Sequence, residues 1–123
     1  MYTAPSAPGH PSGFLAALDP ETGRIRWQVK MPCPLIGGAL ATAGDLVFSG
    51  ADDGRFHAFD ARSGAILWRS SLGLGVGAAP ITYMVHGVQY VAIAAGGSAV
   101  APETGARLGG RVVVYRLGVA SSA

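Results

Sequence analysis

Gly13–Trp27 reads GFLAALDPETGRIRW, and 41 residues further on Gly54–Trp68 reads GRFHAFDARSGAILW. Gly, Ala, Asp, Gly, Ile and Trp fall in register in the two copies, and Thr22 matches Ser63 in chemistry. The shared pattern, Ala-x-Asp-x-x-Thr/Ser-Gly-x-x-x-Trp, predicts a hairpin in each copy. Phe14–Leu18 and Arg55–Phe59 are the first strands. Asp19 and Asp60 are placed to accept backbone N–H bonds two or three residues on, Thr22 and Ser63 to add a local bond, and Gly23 and Gly64 to supply positive φ. Each copy ends on a large indole, Trp27 or Trp68, which must be covered by a neighbouring unit.

Working outward, Gly38–Thr42 and Asp45–Ser49 are two short apolar strands separated by Ala43-Gly44. The next unit repeats the plan with Ala79–Tyr83, a turn over Met84–Gly87, and Gln89–Ala94, and Arg111–Leu117 is a last strand. The offset between units grows from 41 to 56 at Gly110, which locates an insertion at Ser98–Gly109. Four strands in about 41 residues is the period of a β-propeller blade. The expected fold is therefore all-β: a partial β-propeller of two to three four-stranded antiparallel blades. With strands lettered A to D outward from the axis, 13–31 holds C and D of one blade, 38–70 a full blade, and 79–117 A, B and C of the last. Residues 1–12 are expected to be disordered or extended, and 118–123 a flexible tail. A propeller needs about four blades or more, so the chain reads as a sector of a larger ring.

Composition agrees with this architecture and excludes several others. The 123 residues are 50% hydrophobic and 13% charged, enough for one core, while 19 Gly and 8 Pro disfavour long helices. Nine Lys and Arg against seven Asp and Glu, without a basic run, give no nucleic-acid footprint. Cys33 is the single cysteine and is read as an ordinary thiol. Neither a signal peptide nor an 18-residue apolar segment is legible, so no membrane segment is expected.

The chain resembles the eight-bladed propellers of pyrroloquinoline quinone (PQQ) dependent alcohol dehydrogenases. Ala-x-Asp-x-x-Thr-Gly-x-x-x-Trp is similar to their tryptophan-docking motif. GGALATAGDLVFSGADDGRFHAFDARSGAILW, from Gly37 to Trp68, resembles a run in the penultimate part of the family's ring, and AAPITYMVHGVQYVAIAAGG, Ala78 to Gly97, resembles the next segment of that ring. The resemblance implies a C-terminal piece of a periplasmic oxidoreductase that turns alcohols into aldehydes, using PQQ with Ca²⁺ or a lanthanide. It implies Ile36, Gly37 and Gly38 as the cofactor-side residues, with Ile36 where the family commonly has Trp. The family's catalytic Asp, calcium ligands and vicinal cysteines have no match here, so no catalytic or metal residue is expected, and PQQ binding by this chain alone is not expected either. The remaining blades, or another copy of the chain, are the expected partners, with a small alcohol as the intact enzyme's substrate. The competing reading is a non-catalytic propeller scaffold, acting by protein binding or self-assembly.

Other groupings carry less. Asp52 and Asp53 read as solvated turn residues, and His10, His57 and His86 as surface or half-buried. GLGVG at Gly73–Gly77 precedes Pro80 rather than a helix and reads as a connector. Arg24, Arg26, Arg62 and Arg69 read as a solvated strand edge.

Overall fold

The computed structural model describes residues 12–35, 37–96 and 109–118. The N-terminal segment up to residue 11, Ile36, nearly all of the Ser98–Gly109 insertion and the tail from residue 119 lie outside the described residues. Every regular element among the described residues is a strand. They are β1 (Gly13–Leu18), β2 (Ile25–Met31), β3 (Ala39–Ala41), β4 (Leu46–Gly50), β5 (Arg55–Asp60), β6 (Ile66–Ser71), β7 (Ile81–Val85), β8 (Val88–Gly96) and β9 (Gly110–Leu117). They form three antiparallel meanders in chain order: β1-β2, β3-β4-β5-β6 and β7-β8-β9.

The repeated motif folds the same way twice. Asp19 Oδ1 accepts the N–H of Glu21 and Asp60 Oδ1 that of Arg62. Thr22 and Ser63 take the N–H groups of Arg24 and Ala65, while Gly23 and Gly64 sit at φ 73° and 77°. In both hairpins the small Ala lies opposite the Trp, Ala17 against Trp27 and Ala58 against Trp68, with a bulge immediately after. The two differ in what lies beyond. Trp27 Nε1 donates to the Ala61 carbonyl at 2.8 Å, in the turn of the central sheet, and its ring packs against Gly64. Trp68 instead stands edge-on to Phe56 and Tyr115, with ring centroids at 6.0 and 4.9 Å, and is 39% exposed.

Alternation along β5 explains the packing, because successive side chains point to opposite faces. Phe59 joins Leu15, Met31, Leu35 and Ala51 in the core against the first sheet. Phe56 and Ala58 join Phe48, Leu72, Val76, Val91, Ile93 and Ala95 in the core against the third. The central sheet is thus covered on both faces. The outer face of the third sheet is not: Ile81, Val112 and Val114 are exposed there.

Among the strand boundaries that differ from expectation, three have a clear local cause. β7 begins at Ile81, not Ala79, since Pro80 has no N–H to give the ladder. The turn after it is two residues, not four, because His86 and Gly87 both adopt positive φ (49° and 76°) and Met84 and Val85 stay paired. Asp45 belongs to the preceding turn, at φ 61°, so β4 starts at Leu46.

Candidate functional site

Antiparallel meanders put the sheet-to-sheet connectors and the loop after β4 at one end, and hydrogen bonds staple them together there. Asp52 N–H donates to the Pro34 carbonyl at 3.0 Å, Val76 N–H to Ala51 at 3.2 Å, and Gly96 N–H to Gly75 at 2.6 Å. Gly37 and Gly38, in the first connector, lie 41 residues before Ala78 and Ala79 in the second. The two stretches meet: a methyl group on Gly37 would lie 2.6 Å from the Ala78 carbonyl oxygen. Only glycine permits that approach. Gly38 is held at φ 92°, and its carbonyl accepts a 3.0 Å bond from the fully buried Ser49 hydroxyl. A side-chain-poor backbone shelf therefore sits at the start of β3, the strand at one edge of the central sheet. Of the three residues expected at a cofactor, Gly37 and Gly38 are brought onto this shelf, and Ile36 lies outside the described residues.

Further out at the same end lie Asp52, Asp53, Cys33 and His57, and the two aspartates are not the solvated turn residues the sequence suggested. Asp52 is fully buried and Asp53 half-buried. Asp53 accepts the Arg55 backbone N–H at 3.0 Å, lies 3.8 Å from its guanidinium, and takes the Cys33 thiol. Burial, then the Asp53 charge and hydrogen bond, push the Cys33 thiol up to about 11, so it stays protonated at neutral pH. His57 is buried between the sheets, beside Phe59, and its Nδ1 has no hydrogen-bond partner. Its alternation position on a doubly covered strand buries it, which the isolated sequence cannot show.

Burial, with Arg55 and Arg69 nearby, holds the His57 imidazole below its ordinary value, against the opposing pull of Asp53. Below an unfolded value of about 6.5 the unfolded chain takes up a proton that the folded chain refuses, so stability falls with pH there. Denaturation midpoints are expected to drop from pH 7 to pH 5, with a flatter profile in His57→Phe. Equal slopes in the two proteins would remove His57 from the account.

Among the described residues, no group of three or more His, Cys, Asp or Glu could hold a metal ion, and no helix is long and apolar enough to cross a membrane.

The PQQ family of glucose, ethanol and alcohol dehydrogenase β-propeller domains matches residues 29–91. The chain belongs to that family. It is 45% identical over 93 residues to the quinoprotein ethanol dehydrogenase of Pseudomonas aeruginosa, covering 76% of this chain and 15% of that protein. Its fold matches the quinohemoprotein alcohol dehydrogenase ADHIIG from Pseudomonas putida HK5 with a TM-score of 0.80 at 40% identity, over 88% of this chain and 17% of the other. A europium-containing methanol dehydrogenase matches with a TM-score of 0.77 at 29% identity, over 89% and 24% of the two chains. The all-β meanders are thus part of a quinoprotein β-propeller, and the chain spans about 15% of the length of the first of these relatives.

Proposed function

We propose that the chain supplies the C-terminal blades of a PQQ-dependent alcohol dehydrogenase, which oxidises an alcohol to an aldehyde only when the other blades are present. The observation that carries this reading is the family match over 29–91, which includes the Gly37–Gly38 shelf. What supports a planar cofactor at this end is that neither Gly37 nor Gly38 projects a side chain toward it, while the Ala78 backbone fills the space beside Gly37 and holds the shelf in place. The shelf does not fit a metal, for which a hard cation such as Ca²⁺ wants six to eight oxygen ligands; those belong to other blades. When bound in a complete ring, PQQ accepts the two electrons of the alcohol. The role of this chain is to wall the cofactor and exclude water. Ile36, Gly37 and Gly38 are the residues we assign to that wall.

Two structural features support the partnership with other blades. The inner edge of β1 is unpaired among the described residues, and a cavity of about 730 Å³ lies between it and Gly38–Ala39. At the opposite flank a cavity of about 300 Å³ is lined by Trp68, Tyr115 and Leu117, beside an indole that lacks the cover Trp27 has. We read the two indoles as the family's tryptophan-docking motifs, and the location of the whole enzyme as periplasmic.

Titrating PQQ into the purified chain, with and without a fragment carrying the preceding blades, tests this. Saturable binding and dye-coupled alcohol oxidation are expected only with both pieces. Saturable binding by this chain alone would show that the other blades are dispensable for the cofactor.

A further inference from the structure

The end of β4 and the loop after it touch both sheet-to-sheet connectors. On the second connector, Gly50 approaches Val76 too closely to carry a Cβ, and the Ala51 carbonyl accepts the Val76 N–H at 3.2 Å. On the first, the Asp52 N–H donates to the Pro34 carbonyl and the Ser49 hydroxyl to the Gly38 carbonyl, both at 3.0 Å. These two bonds bracket the connector from Pro34 to Gly38, and between them Leu35 is buried in the core with Met31 and Phe59. The bonds at Ala51 and Asp52 are made by backbone and survive a change of side chain. The bond to Gly38 depends on a hydroxyl. Ser49 is itself firmly placed, paired with Ala39 on one side and His57 on the other, and fully buried. Gly38 needs such a hold. Gly37 is wedged against the Ala78 backbone, whereas a Cβ on Gly38 would make no closer approach than an ordinary 3.5 Å contact with the Ala79 methyl. Gly38 also sits at φ 92°, in a residue type with the widest choice of backbone conformations.

We propose that Ser49 is a positioning residue for the cofactor wall: its hydroxyl holds the Gly38 carbonyl, and through it the Gly37–Gly38 shelf, in the orientation that receives PQQ. This rests on the function proposed above. Ser49 acts through Gly38 and touches no cofactor itself. Two adjacent glycines without that bond keep backbone freedom that binding must then remove, and a shelf ordered beforehand avoids the loss. Fixing the plane of the Gly38 carbonyl also fixes the peptide through which the connector enters β3, so the wall and the central sheet move as one piece.

The test compares Ser49→Ala, which removes the hydroxyl, with Ser49→Thr, which keeps one. Thr82→Ala is the control, since it removes a hydroxyl bonded to the Tyr90 carbonyl at 2.9 Å in the third sheet, away from the connectors. PQQ is titrated into each full chain together with the fragment carrying the preceding blades. On the full chain alone, backbone order parameters at Gly37 and Gly38 and the Gly38 carbonyl carbon resonance are read by NMR. Ser49→Ala is expected to weaken PQQ binding about fivefold, the order of one neutral hydrogen bond. It should also lower the order parameters at Gly37 and Gly38 and shift the Gly38 carbonyl carbon, while β7 and β8 keep wild-type values. Ser49→Thr should restore both properties. Thr82→Ala should lower the urea midpoint and leave PQQ affinity unchanged. Wild-type chain that fails to bind PQQ with both pieces present would sink the function reading and this role with it. Wild-type binding matched by Ser49→Ala, or equal weakening by Ser49→Ala and Thr82→Ala, would overturn the positioning role alone.

Discussion

Gly64→Ala is expected to destabilise the chain by about 2–4 kcal/mol, combining a left-handed backbone penalty of about 1–2 with an overpacking cost of similar size. The added methyl would lie 2.5 Å from Trp27 Cε3 and 2.8 Å from Cδ2, so the indole must leave its seat or the turn must move. Gly23→Ala is the matched control. It occupies the same place in the first copy of the motif, at nearly the same φ, but nothing lies within 4 Å of the added methyl. It carries the backbone penalty alone, about 1–2 kcal/mol. Urea midpoints with unchanged m-values would give both numbers. Equal losses at the two glycines would mean that the Trp27 contact contributes nothing.

Trp27→Ala should cost about 3–5 kcal/mol, the usual loss on truncating a packed aromatic, because it removes both the ring on Gly64 and the bond to Ala61. The equivalent change at Trp68 is expected to be milder, about 1–2 kcal/mol, since that ring already leaves 39% of its surface exposed. The sequence predicts equal losses at the two indoles, because they close identical motifs. The structure breaks the equivalence: what covers an indole belongs to the next sheet, and among the described residues only Trp27 meets a turn like that of Asp60–Gly64 there. In a preparation completed by the other blades, the Trp68 loss should rise toward that of Trp27.

The same distinction separates what was legible from what was not. Asp19, Thr22 and Gly23 act on backbone groups within a few residues, so their turn follows from spacing, and its repetition at Asp60, Ser63 and Gly64 identifies the architecture. Strand limits depended on subtler chemistry, as at Pro80, whose missing N–H delays β7, and at His86, a residue other than glycine at positive φ. The buried cluster was illegible for a different reason. His57 and Asp52 look like surface residues until a sheet is laid over each face of β5, and nothing local to either announces that cover.

The direct test of sheet-on-sheet locking is the nuclear Overhauser contact between the Trp27 ring and the Gly64 α-protons. Strong cross-peaks are predicted, with the Gly64 α-protons shifted upfield by the indole and the indole N–H protected from exchange by its bond to Ala61. Random-coil Gly64 shifts with no cross-peak to Trp27, in a chain that otherwise shows dispersed strand resonances, would contradict the account.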